Sequence, residues 1–294
     1  MPRTYTRHFR VRSTDCDAAG HVGHAVYLRY MQEAAFEAST DAGYGPARYA
    51  EMGVTWLIRR SRIDYLHPLR YGDEIDVTTY VADFRRVRSQ RNYEMARSSD
   101  GVMVALAATD WAFLDTHTGA PTRIPQEMIA MFRAEGVDPN AAVRIDAARL
   151  PDEPPPQAFH AAQRVRFYDL DPNWHVNNAV YLHYLEQATI DASAGAGFDI
   201  PQLLEQGGFF VVRQHDIEYL HPAEYGDTLD VATWIGETGA SNLVHYTAMR
   251  DQNGTLDLRA QTRWVWMDLK TREAAPMPAA VRQALIERQV KREA

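Results

Sequence analysis

Arg10-Val-Arg-Ser-Thr-Asp-Cys-Asp17-Ala-Ala-Gly-His21-Val-Gly-His-Ala-Val-Tyr27-Leu-Arg-Tyr30 returns as Arg164-Val-Arg-Phe-Tyr-Asp-Leu-Asp171-Pro-Asn-Trp-His175-Val-Asn-Asn-Ala-Val-Tyr181-Leu-His-Tyr184, at a constant offset of 154 residues. Such a period is too long for a solenoid unit and matches a whole domain, so the chain reads as a duplicated fold. Both copies keep an Asp and a His. A second landmark, Ile63-Asp-Tyr-Leu-His-Pro68-Leu-Arg-Tyr-Gly-Asp73, recurs as Ile217-Glu-Tyr-Leu-His-Pro222-Ala-Glu-Tyr-Gly-Asp227 at the same offset of 154. Trp111 and Asp115 match Trp264 and Asp268 at an offset of 153, so the second copy has lost one residue in between.

Between the copies lies Leu150-Pro-Asp-Glu-Pro-Pro-Pro156, which breaks helices and favours extended chain. This gives an N-terminal domain over 1–137, a Pro-rich linker over 138–159 and a C-terminal domain over 160–294. Two halves of this size can each bury a core. With one cysteine, Cys16, no internal disulfide is possible. No apolar run is long enough to span a bilayer, and the first residues lack the apolar stretch of a secretory signal, so the expected compartment is the cytoplasm with no membrane partner. A net charge of −8 argues against nucleic acid as a partner.

Each copy opens with a short alternating strand and a turn-rich stretch around its Asp. Val26, Tyr27, Tyr30, Met31, Ala34, Ala35 and Ala38 then fall at helical spacing, and Val180, Tyr181, Tyr184, Leu185 and Ala188 repeat the stripe. Strand-like runs follow at Trp56–Tyr65, Glu74–Val81, Phe209–Tyr219 and Thr228–Ile235. Asp100-Gly101 and Asn253-Gly254 predict hairpins with type I′ turns. The expected class is α+β: in each half, a curved antiparallel sheet wrapped around one long helix.

At this point the residues resemble a known family. Asp15-Cys-Asp17-x-Ala-Gly with Tyr27 is similar to the 4-hydroxybenzoyl-CoA thioesterases of the hotdog fold. Asp171-Pro-Asn173-Trp-His175-Val-Asn-Asn178-x-x-Tyr181 resembles the acyl-ACP thioesterases, whose two hotdog domains lie in one chain. The resemblance covers nearly the whole length. It implies two tandem hotdog domains paired as an internal pseudo-dimer, with further homo-oligomerisation left open. It also implies hydrolysis of an acyl-CoA or an acyl-ACP to free acid and thiol, the substrate bringing its own coenzyme A or phosphopantetheine and no separate cofactor.

Thioester hydrolysis needs a nucleophile or an activated water, donors for the oxyanion, and a slot for the acyl and pantetheine chains. By resemblance, Asp171 and Asp17 are candidate nucleophiles or general bases, with His175 and His21 for proton transfer and Asn173 for orienting water or carbonyl. A helix starting just after the His would aim amides at the carbonyl oxygen, with Asn177 and Asn178 as donors and Gly23 and His24 in their places in copy one. Tyr181 and Tyr27 complete the candidate binding residues. Copy one has Ala19 where copy two has Asn173, so copy two is expected to carry the competent site.

Plainer readings stand beside these. An Asp before a helix commonly caps it; Asp15 and Asp169 fit a structural role, as do His67 and His221. Asp15, Asp17 and His21 lack a zinc-type spacing, so no metal is expected. Cys16 is replaced by Leu170 and reads as a small buried side chain. The arginines of copy one, among them Arg85, Arg86 and Arg88, form either a solvated face or a seat for coenzyme A phosphates or an acidic carrier protein. Two rival functions remain: a hotdog hydratase or dehydratase, whose His stands one residue further from the Asp, and a non-catalytic acyl-thioester binder.

Overall fold

The computed structural model describes residues 3–132, 143–145 and 149–288. The chain divides into two units, Met1–Ala147 and Ala148–Ala294. In the first, β1 (Tyr5–Arg10) leads through a 3-10 turn, Ser13–Asp15, into the long helix α1 (His24–Asp41). Then come α2 (Pro46–Met52), β2 (Val54–Tyr65), β3 (Glu74–Phe84), β4 (Arg88–Arg97), β5 (Met103–Asp115) and α3 (Gln126–Phe132). Its strands are antiparallel in the order β1-β3-β4-β5-β2.

The second unit repeats the plan. It runs β6 (Phe159–Arg164), a 3-10 turn at Phe167–Asp169, α4 (Val180–Gly195), α5 (Ile200–Glu205), β7 (Gly208–Tyr219), β8 (Thr228–Thr238), β9 (Asn242–Arg250), β10 (Leu256–Asp268) and α6 (Ala279–Arg288). The strand order is β7-β10-β9-β8-β6, again antiparallel.

Helical spacing of apolar side chains creates one face that must leave water, and the sheet receives it. Every residue of the expected α1 stripe is buried, with Ala25 and Leu28 added; on α4 the expected stripe is buried together with Leu182 and Thr189. Helix α1 packs on β3, where Ile75 and Val77 are not measurably exposed. Bulges recur at matching places, between Val81 and Asp83 and between Ile235 and Glu237. Each extra residue bends its strand, which lets a sheet curl around a helix. At the second of these, Gly236 is required, because a Cβ there would lie 2.1 Å from the Tyr246 ring.

Some expectations need correction. The short helices α2, α3, α5 and α6 were not legible, since pieces of 6–10 residues carry too little periodicity. The hairpins are not type I′, which needs two residues at positive φ. Gly101 and Gly254 have φ of +70° and +82°, while Asp100 and Asn253 do not share it. Gly254 N–H instead donates to the Asp251 carbonyl at 3.0 Å, closing a turn that ends in a left-handed glycine. Of the expected linker, 138–142 and 146–148 lie outside the described residues. The rest is not slack: Arg259 holds Asp152 at 2.9 Å, and Arg250 holds the Asp152 carbonyl at 3.1 Å and Glu153 at 3.0 Å. Among the described residues no helix is long and apolar enough to cross a membrane.

Candidate active site

The motif around Asp171 is a loop stitched to itself before α4 begins. Asp171 N–H donates to the His175 carbonyl at 2.9 Å and Trp174 N–H to the Asp171 carbonyl at 3.0 Å. Val176 N–H reaches the Ala223 carbonyl at 2.9 Å, and His175 pairs with Glu224, so the loop is sewn to the turn that precedes β8. The Tyr-Gly-Asp landmark therefore serves as a backstop for the Asp-His motif. The same arrangement supports Asp17, where Val22 N–H donates to the Leu69 carbonyl at 2.9 Å.

Asp169 and Asp15 hold structural hydrogen bonds, in line with the plainer reading. Asp169 is buried and accepts from Tyr184 Oη at 2.7 Å and Arg166 N at 2.7 Å; Asp15 accepts from Tyr30 Oη at 3.0 Å and Arg12 N at 2.8 Å. Burial, followed by the carboxylate partner, pushes both phenols well above the ordinary tyrosine range. These pairs fix each Asp loop against its helix.

Asp171 is half-buried. Its Oδ1 accepts Asn173 N–H at 2.8 Å, and Oδ2 has no hydrogen-bond partner among the described residues. Asp17 is exposed, and its Oδ1 takes two amides, Ala19 at 2.8 Å and His21 at 3.1 Å. The capping reading is thus partly right for both carboxylates, since each braces its own turn. What distinguishes Asp171 is its setting: His175 and Asn173 share its loop, and neither side chain is tied down among the described residues.

The helix starts differ from expectation. α4 begins at Val180, preceded by an Asn turn in which Asn177 Oδ1 accepts Ala179 N–H at 2.9 Å. Asn177 N–H is already bonded to the Asp169 carbonyl at 2.9 Å, so it is not an oxyanion donor. Gly23 N–H is committed in the same way to the Asp15 carbonyl at 2.9 Å. Asn178 N–H keeps no acceptor among the described residues and is the donor left at this corner. His24 lies edge-on to Tyr65, ring centroids 5.1 Å apart.

Tyr181 and Tyr27 are each 3 % exposed. Tyr181 Oη accepts Ala223 N–H at 3.1 Å, which places it as a brace between α4 and the Ala223 turn rather than as a group offered to a ligand. The arginines fare likewise. Arg85 pairs with Asp83 at 3.1 Å and Arg88 with Asp110, while Arg86 stays exposed. All three sit at the β3–β4 turn, whereas the Asp17 loop lies at the other end of β3, about 30 Å away at the rise of a strand. The structure does not bring them to Asp17.

One group escaped notice in the sequence. β10 bulges between Leu256 and Leu258, leaving Asp257 unpaired in the ladder, 3 % exposed, with Oδ2 lacking a partner. Burial first, then the charge of Asp251, pushes its carboxyl up to about 6, against the opposing influence of His221. It is also the leading charged neighbour of Tyr181, ahead of Asp227 and Asp171. In the first unit the equivalent bulge residue is Val104, buried and apolar. A carboxylate where the sister copy has valine was the available signal.

The sequence model of the thioesterase-like superfamily matches residues 11–132 and 165–285, one match per unit. The chain is 24% identical over 193 residues to the chloroplastic acyl-(acyl-carrier-protein) hydrolase FATB2 of Cuphea viscosissima, covering 63% of this chain and 47% of that protein. It therefore spans about half the length of such curated relatives. It is 31% identical over 123 residues to the long-chain acyl-CoA thioesterase FadM of Escherichia coli K12, covering 42% of this chain and 92% of FadM. In fold it is similar to the 12:0-ACP thioesterase from Umbellularia californica, at a TM-score of 0.72 and 19% identity over 90% of this chain and 94% of that one. The two matches cover most of the chain, which therefore belongs to the thioesterase-like superfamily, with a hotdog unit in each half.

Proposed function

We propose that the chain hydrolyses acyl thioesters, of coenzyme A or of a carrier protein, and that the second unit does the chemistry. The observation that carries this reading is the Asp171 loop, in which one carboxylate oxygen is braced by Asn173 N–H, the other has no hydrogen-bond partner among the described residues, and His175 closes the same loop through its carbonyl. The thioester carbon gains a bond to oxygen, from water deprotonated by Asp171 or from Asp171 itself. Asn178 N–H receives the developing oxyanion at the approach to α4. The C–S bond then breaks; on the general-base route the thiolate takes the proton that Asp171 removed from water, directly or relayed through His175, and on the nucleophilic route it takes one from water. If Asp171 is the nucleophile, water next cleaves the mixed anhydride and regenerates the carboxylate.

The test is thiol release from short, medium, long and aromatic acyl-CoAs and from acyl carrier protein, with Asp17→Asn and Asp171→Asn beside the native chain. Loss confined to Asp171→Asn supports the second unit as the working one. Equal loss in both variants overturns that assignment. Binding without thiol release from any ester overturns hydrolysis in favour of an acyl-thioester binder. A single turnover in heavy-oxygen water that leaves label in Asp171 establishes the nucleophilic route, because only water attacking the Asp171 carbonyl of a mixed anhydride puts it there.

A further inference from the structure

The second unit displays a cluster of aromatic rings that the first lacks. Phe167, Tyr168, Trp174 and Tyr225 are 69, 82, 67 and 63 % exposed. Three of them touch edge to face: Phe167 meets Trp174 at 6.3 Å and Tyr225 at 6.4 Å between ring centroids. Single exposed apolar residues are ordinary, but rings in mutual contact at the surface mark a place where something binds. At the equivalent positions the first unit has Ser13, Thr14, Gly20 and Tyr71 on the same backbone plan.

The fold does not ask for these rings. Trp174 holds a φ of +65°, where Gly20 in the first unit has +76°. Glycine enters that region freely, whereas a bulky L-residue there is strained, and such strain persists where the side chain has a task. Indole exposed to water gains nothing by folding. Its task is therefore outside the chain.

Position and charge narrow the occupant. Trp174 lies between Asn173 and His175, and the Trp174–Asp171 hydrogen bond closes a turn that keeps their Cα atoms within about 7 Å. Anything on these rings is thus beside the reacting carbonyl and outside the buried interior. Arg164 and Arg166, just before Phe167, are exposed and form no ion pair among the described residues. Carboxylates of Asp171 and Glu224 stand close in the same loops, so the surface is not the broad positive field that an acidic protein would seek.

Resting on the thioesterase reading, we infer that Phe167, Trp174 and Tyr225 form the trough for the phosphopantetheine arm of the substrate, with Arg164 and Arg166 taking its phosphate. The arm's amides and gem-dimethyl group lie on ring faces and edges, and guanidinium forks suit a phosphate. The same arm occurs in coenzyme A and on carrier proteins, so the trough reads the carrier chemistry and not the acyl chain.

Phe167→Ser and Trp174→Gly, singly and together, place the first unit's residues in the second, where the backbone accepts them. The measurement compares kcat/KM for one acyl group on coenzyme A, on a phosphopantetheinylated carrier protein and on N-acetylcysteamine, which lacks most of the arm. The expected result is a loss at least tenfold larger on both full-length thioesters than on the truncated one, carried by KM. Arg164→Gln with Arg166→Gln should weaken binding of phosphopantetheine more than of pantetheine. Equal losses on all three esters overturn the proposal, as does no loss. A loss on coenzyme A alone also overturns it, in favour of the nucleotide. Quenching of Trp174 fluorescence by coenzyme A, lost in Trp174→Gly, reads arm binding even if native protein releases no thiol, so failure of hydrolysis and failure of this proposal are told apart.

Discussion

Asp17 Oδ1 takes two backbone amides in an exposed loop, whereas Asp171 Oδ1 takes one in a half-buried loop beside Asn173 and His175. The two units share strand order, the helix stripe, the Tyr–Asp brace and the positions of their bulges. They part company at single positions: Ala19 against Asn173, Gly20 against Trp174, Val104 against Asp257, and Arg91 against His245. Duplication gave two copies of one scaffold, and divergence acted on side chains that the scaffold does not need. The first unit kept the inert choice at the bulge and the glycine at the strained turn; the second accepted a buried carboxyl and an indole at positive φ.

The most severe way to break this comparison is Asp171→Asn. It should lower thioester turnover by about 10²–10⁴-fold, the usual worth of one positioned acid-base group, with Asp17→Asn far milder in steady-state assays. A comparable effect of the two would erase the distinction between the units.

Next in size is the shared core. Met31→Ala on α1 and Leu182→Ala on α4, each from a side chain at most 1 % exposed, should cost about 2–5 kcal/mol apiece in urea unfolding. Similar losses in both halves would confirm equal packing, and a loss under 1 kcal/mol in either would show that half's core to be loose.

Asp257 and His245 sharpen the contrast by titrating where the first unit has Val104 and Arg91. Asp257 keeps its proton to about 6 in the folded chain and loses it near 4 when unfolded. Between those values the native state binds more protons, so this group's contribution to stability falls as pH rises. Asp257→Asn should match the native chain below about pH 4 and exceed it by about 2–3 kcal/mol above pH 6–7. His245 works in the opposite sense. Burial lowers it to about 4, so the native state binds fewer protons up to the unfolded value near 6.5, and stability rises with pH across that window. In Asp257→Asn the rise due to His245 should emerge alone; a flat profile from pH 4 to 6.5 would count against its buried neutral state.

The smallest expected effect is a gain. Trp174→Gly removes a bulky residue from the left-handed region and should stabilise by about 1 kcal/mol, visible as a higher Tm, while impairing use of full-length thioesters. Gly20→Trp in the first unit should do the reverse to stability, and a Tm unchanged in both would remove the strain argument.

Much of this was legible beforehand. The α1 and α4 stripes follow from spacing alone, because a helix repeats every three to four residues whatever surrounds it. Asp15 and Asp169, two residues before the candidate carboxylates, read as structural hydrogen-bonding groups, and their bonds to Tyr30 and Tyr184 agree. Asn177 was misread, since whether an amide is open depends on a carbonyl eight residues earlier. Tyr181 was misread for the same reason, its hydroxyl being occupied by Ala223 far along the chain. For Asp257 the sequence carried only the contrast with Val104, because a bulge redirects one residue without leaving a periodic pattern.

The sequence by itself determined the duplication, the period-matched helix in each half, the strands, and the Asp, Asn and His that share one loop. All of these depend on spacing along the chain and on residue chemistry, which need no partner to be read. Only the tertiary structure decided which amide stays open, which tyrosine is a brace, which carboxyl is buried without a counter-charge, and which rings face water. Those outcomes depend on hydrogen bonds and burial between segments distant in sequence, and every buried polar group must be matched against the whole fold before its remaining capacity is known.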